Sequence, residues 1–189
     1  MSMIETDAKR VVMPMMLGQG LFLDESAQRL LARWIALKIM VVDQSPPEAA
    51  VISPEERKAF MEQGAMPERL HIELASCGEA PWDTAMAKRT GNLFPMEKRP
   101  SDLIAAAGRK NIQTTTFGIG KLVVHGIARA ADAVNLAEMV VFSKPLIKLW
   151  PLTGSAIIWP PKPLAAWEVN NVVLRMDTLT KSGKVNYIA

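Results

Sequence analysis

The run Ile112-Gln-Thr-Thr-Thr-Phe117, Gly118-Ile-Gly120, Lys121-Leu-Val-Val-His-Gly-Ile127 decides the fold. Its two arms are rich in Thr, Val and Ile, whose branched side chains suit a pleated, half-buried surface. A glycine-bearing turn between two such arms reads as a β-hairpin. A further strand reads at Leu70-His-Ile-Glu-Leu74, where apolar and polar residues alternate with period two.

Outward from this β region the periodicity becomes helical. Ser2 and Glu5 form a capping box opening a helix with Ile4, Ala8, Val11 and Val12 on one face, and Pro14 is expected to end it. Gly18 and Gly20 make a turn. Asp24 is placed to cap the longest helix, running to about Val42, with Ala27, Leu30, Leu31, Trp34, Ile35, Val41 and Val42 at helical spacing. Trp34 on that apolar face is expected in the core. Ser53-Pro54-Glu55-Glu56 combines an N-cap, a proline at the first helical position and a glutamate at the third, and Gly64 ends that helix. Shorter helices are expected over 101–107, 132–142 and 163–179.

Residues 146–161, with Trp150-Pro151 and Trp159-Pro160-Pro161, read as extended or looped, because a residue before proline is pushed out of the α region. Residues 77–101 contain Gly78, Pro81, Gly91, Pro95 and Pro100 and little periodicity, which reads as a long loop or irregular excursion. The expected architecture is a single α+β domain over 1–189, with helices packed on a small, mostly antiparallel sheet containing a hairpin.

Charge is unevenly distributed. Residues 44–87 carry three basic side chains against eight acidic ones, and residues 88–189 carry fourteen against six. Such asymmetry fits a basic face for phosphates or two surfaces that attract each other within the fold. Cys77 is the single cysteine, so no internal disulfide forms and a reducing compartment is the natural expectation. The first nine residues are mixed and charged where a leader would be apolar, and the apolar run 35–42 is interrupted by Lys38 and too short for a bilayer. A cytoplasmic protein with no membrane partner is expected.

The chemistry-bearing side chains are sparse. His71, Cys77 and His125 are the soft ligands, with no CxxC, HxxxH or HxH pair, so neither metal nor other cofactor is expected. Cys77 reads as an isolated buried thiol and His125 as a hydrogen-bonded strand histidine. Gly118-Ile-Gly120 lies between strands with no helix after it, unlike a dinucleotide fingerprint. The chain therefore reads as a non-enzyme. Its candidate binding residues are the basic Lys88, Arg89, Lys98, Arg99, Arg109 and Lys110, long cationic side chains suited to phosphate backbones or acidic protein surfaces. The alternative is an acidic surface at Glu55, Glu56 and Glu62, able to mimic phosphates.

Several runs, taken in order, carry a resemblance: Met1-Ser-Met-Ile-Glu-Thr-Asp-Ala-Lys9, Pro14 to Gly18, Leu30-Leu-Ala-Arg-Trp-Ile-Ala-Leu-Lys38, Ile52 to Arg57, Pro67 to Leu74, Gly120 to Val124, and the Trp150-Pro and Trp159-Pro-Pro pairs. Together they resemble the region that follows the zinc-binding segment in HNH-endonuclease-like proteins of bacteria and phages. The resemblance implies that the family's zinc cysteines and metal-binding histidines lie upstream of Met1, and none maps onto a residue here. It implies a companion domain without the catalytic half, kept for binding.

The resulting expectation is a non-catalytic binding protein of phage or mobile-element derivation. It would engage nucleic acid or a nucleoprotein complex, such as a CRISPR-type defence effector, as an inhibitor or accessory. One alternative is a nuclease-related subunit whose metal site another chain completes. Another is a structural protein that oligomerises, a homodimer included, through surface carried by some of its twelve methionines.

Overall fold

The structure, a computed structural model, describes residues 3–78, 82–95, 110–130, 146–174 and 185–188. The fold is mixed α+β, and the pairings within its main sheet are antiparallel. The first helix, α1 (Met3–Met16), buries Ala8, Val11, Val12 and Met15. Contrary to the expectation that Pro14 ends it, α1 continues to Met16. Proline removes one N–H, yet Leu17 N donates to Met13 O (3.1 Å) and Gln19 N to Pro14 O (2.9 Å), and the added turn buries Met15 completely.

Strand β1 (Leu21–Leu23) leads into α2 (Glu25–Asp43), capped as expected by Asp24, whose carboxylate accepts from Ala27 N at 2.8 Å. Leu31, Ala32, Ile35, Ala36, Ile39 and Met40 make α2 the core helix. Trp34 is 9% exposed and meets Phe117 edge to face, ring centroids 6.2 Å apart. Helix α3 (Pro54–Gln63) opens with the full Ser53/Glu56 capping box and stops at Gly64, whose φ of 71° is the left-handed conformation glycine adopts freely.

The sheet strands are β2 (Leu70–Ser76), β3 (Trp82–Pro95), β4 (Ile112–Gly120), β5 (Leu122–Arg129), β6 (Ile147–Trp150) and β8 (Val185–Ile188). A separate strand, β7 (Ile157–Trp159), precedes α4 (Ala166–Val173). The main sheet runs β6-β2-β5-β4-β3-β8, and β1 pairs with β7 in a two-stranded ribbon. The expected hairpin is β4–β5, in register from Ile112 opposite Arg129 to Ile119 opposite Leu122. At its tip Gly120 takes φ 56° against the Met16 carbonyl, where a Cβ has no room, and Lys121 N donates to Met16 O at 2.8 Å.

Residues 77–101 are less irregular than their composition implies. Trp82–Pro95 forms β3, paired with β4 from Trp82 opposite Gly120 to Gly91 opposite Ile112, and then with β8. Ala85-Met-Ala-Lys-Arg89 has neither alternation nor branched side chains, so its strand state comes from distant partners and not from local preference. The helices expected over 101–107 and 132–142, and the end of the one expected over 163–179, lie outside the described residues.

Strand alternation divides the sheet's two faces. Leu70, Ile72, Leu74, Phe117, Leu122, Val124 and Ala128 join α1 and α2 in the main core. On the opposite face, Ala75, Cys77 and Val123 pack with Leu164 and with Val169 and Val172 of α4. Among the described residues, no helix is long and apolar enough to cross a membrane.

Candidate functional site

The sheet face turned away from α2 carries a row of polar side chains positioned by register. His71 on β2 stands opposite Ile127 on β5, Ile127 opposite Thr114 on β4, and Thr114 opposite Arg89 on β3. One step along, Lys148 on β6 stands opposite Glu73, Glu73 opposite His125, and His125 opposite Thr116. Arg129 ends β5 on this same face, opposite Ile112. Among the described strand residues, the basic or imidazole groups of Lys148, His71, Arg129 and Arg89 thus share a face with the carboxylate of Glu73.

The centre of this face is closed and its rim is open. His125 is 1% exposed, its Nδ1 2.8 Å from the Thr116 hydroxyl, and Thr114 and Thr116 are buried with it. His71, Arg89 and Arg129 are half-buried and Lys148 is exposed. Burial pushes the His71 imidazole below its ordinary value of 6.5, and the positive charges of Arg129 and Lys148 push it the same way. His71 therefore sits in an electropositive field, a setting that attracts anions.

Lys88 and Arg89, adjacent in sequence, part company on β3. Lys88 turns to the helix side, where its ammonium donates to the carbonyls of Val42 (3.0 Å), Asp43 (3.3 Å) and Ser45 (2.7 Å). Val42 and Asp43 are the last residues of α2 and Ser45 follows just beyond it, and a cation there also complements the helix dipole. Beside them the fully buried Asp43 carboxylate accepts from Val51 N (2.9 Å), Ile52 N (3.0 Å) and Arg57 Nη1 (2.9 Å). Burial pushes Asp43 above its ordinary carboxylate value, opposed by those hydrogen bonds and by the charges of Arg57 and Lys88. Burial pushes Lys88 down, opposed by Asp43. This cluster joins the end of α2 to β3 and to the approach to α3.

Of the other basic candidates, Lys98, Arg99 and Arg109 lie outside the described residues. Lys110 is half-buried immediately before Asn111, at the end of the sheet where Arg129 stands. The acidic candidates have separate tasks. Glu56 closes the capping box and accepts from Glu68 N at 3.3 Å, while Glu55 and Glu62 are exposed, Glu62 4.0 Å from Lys58. Cys77 is buried, and His125 holds the strand hydrogen bond expected of it. Among the described residues no three His, Cys, Asp or Glu side chains gather as metal ligands.

Sequence reasoning missed the β1–β7 ribbon. There Phe22 faces Ile158 across the pair, and both point outward, 66% and 75% exposed, while Leu23, Ile157 and Trp159 point in. Gln28 Nε2 fastens the ribbon to α2 by donating to Leu23 O and Ser155 O, both at 2.9 Å. The signal was available, since Leu21-Phe-Leu23 and Ile157-Ile-Trp159 are short runs of strand-forming residues. Comparison with known families, curated proteins and solved structures finds no match to this chain.

Proposed function

We propose that the chain is a non-catalytic binding protein that engages nucleic acid within a nucleoprotein complex, as an inhibitor or accessory of nucleic-acid processing. The observation that carries this reading is the basic sheet face, with Lys148, His71, Arg129 and Arg89 against Glu73. A polyanion is the complementary partner for such a face, through phosphate contacts that need no catalytic group. The outward Phe22–Ile158 pair suits the protein component of such a complex, because large apolar side chains anchor protein interfaces. The resemblance to the companion region of HNH-endonuclease-like proteins points to the same machinery, and to phage or mobile-element derivation.

The test is fluorescence anisotropy with labelled single- and double-stranded oligonucleotides across a salt series, with the probes then run on a gel. The expected result is binding whose log affinity falls linearly with log salt, and intact probes. Failure to bind at low salt, affinity indifferent to salt, or cleavage of the probe would each overturn the reading.

A further inference from the structure

Lys148, His71 and Arg129 lie on a diagonal across three neighbouring strands. Lys148 on β6 is level with Glu73, His71 is two residues further along β2, and Arg129 is two residues beyond the partner of His71 on β5. All three project from the face opposite α2. Each step moves one strand over and two residues along, a diagonal of roughly 7–8 Å that long side chains span readily. We propose that these three side chains form a seat for a phosphodiester group of a nucleic-acid backbone, with His71 at its centre and Arg129 and Lys148 closing on the phosphate from either side.

The inference rests on the nucleic-acid reading above and adds to it a location and a proton. Burial lowers the His71 pKa, and the charges of Arg129 and Lys148 lower it further. Without an anion, protonating His71 places a third positive charge among neighbours of the same sign. A phosphate between them reverses this balance and favours the imidazolium, which then donates to a phosphate oxygen. Binding at the seat is therefore coupled to proton uptake by His71 and tightens as pH falls.

Among the described residues, the other charged groups near His71 are Glu73, Arg69 and Arg89. Glu73 is two residues away on β2, opposite both Lys148 and His125. Arg69, just before β2, is paired with Glu68 at 3.1 Å. Arg89 lies three strands across in the same row, beyond Ile127 of β5 and Thr114 of β4. Among the described residues of these strands Glu73 is the carboxylate nearest in register, and it disfavours an anion at its own level more than at the level of Arg129, two rows away.

The chain has two histidines, and they stand in opposite environments, which makes the test direct. The imidazole C–H resonances of His71 and His125 are followed by NMR against pH, for the protein alone, with inorganic phosphate and with a single-stranded DNA oligonucleotide. DNA is expected to raise the His71 pKa by roughly one unit, the usual effect of a nearby opposite charge, and to leave the buried His125 unmoved. Lys148→Glu is expected to weaken DNA binding several-fold, to reduce the salt slope by about one and to remove most of the His71 shift. If DNA binds and His71 does not move, the seat is refuted while the binding reading stands. If phosphate moves His71 and DNA neither binds nor moves it, the nucleic-acid assignment of the seat is wrong. If neither ligand binds, both readings fall.

Discussion

Ile39 of α2 occupies the space where a side chain at Gly126 would begin. The central helix approaches β5 so closely at this point that a methyl group on Gly126 collides with the Ile39 Cδ1. The space beside Gly126 is filled by the tip of the buried Ile39 side chain, which a side chain at 126 would have to displace.

Gly126→Ala is accordingly expected to destabilise the protein by about 1–3 kcal/mol, the usual cost of overpacking a core. Ile39→Val removes the colliding carbon, so adding it to Gly126→Ala is expected to recover part of that loss. Urea midpoints of the single and double variants check this. Equal midpoints for Gly126→Ala and wild type would mean that α2 can move off the sheet freely.

Trp34→Ala is expected to cost about 3–5 kcal/mol, as large aromatic deletions do. The side chain lies in the core and loses its edge-to-face contact with Phe117. Chemical denaturation reads the effect, and an unchanged midpoint would remove α2 from the centre of the fold.

Lys88 and Arg89 are expected to separate stability from binding. Lys88→Ala removes the ammonium donor to the carbonyls of Val42, Asp43 and Ser45 and is expected to cost about 1–3 kcal/mol. Its effect on nucleic-acid affinity is expected to be small, because Lys88 faces α2. Arg89→Ala is expected to weaken binding and lower the salt slope. Thermal melts and anisotropy titrations on the two variants decide it, and a Lys88 variant that melts like wild type would contradict the helix-end role.

His71 gives a pH dependence whose sign is set by its environment. Its folded-state pKa lies below 6.5, so its contribution to stability is fully present above that value and is lost as pH falls through the lower folded value. The melting temperature of wild type is expected to fall more steeply below pH 6.5 than that of His71→Gln. Bound DNA is expected to reduce or reverse this difference, since the anion favours the protonated imidazole. Parallel curves for the two proteins without DNA would show that His71 is not held neutral by the fold.

Where local chemistry dictates local structure, the fold was legible in the residues. The Asp24 and Ser53/Glu56 caps, the alternation of β2 and the Gly120 turn all depend on residues close in sequence, and each lies where the pattern placed it. Strand β3 was not legible, because Ala85 to Arg89 is a strand only by virtue of β4, some thirty residues on. That single omission also blurred the candidate site. Once β3 is a strand, adjacent Lys88 and Arg89 must point to opposite faces. The His71–Arg129–Lys148 diagonal needs the register of three strands, and no spacing within the sequence encodes it.

The fastening of the hairpin tip to Met16 has a kinetic consequence. Hairpins assemble in microseconds from neighbouring residues, so β4–β5 has the most local contacts of any strand pair in the sheet. The Lys121–Met16 hydrogen bond, in contrast, closes a loop of about a hundred residues, and contacts of long sequence separation come slowly. Docking of α1 onto the tip is therefore expected as a late event in refolding. Its substitutions would then accelerate unfolding while hardly changing the folding rate.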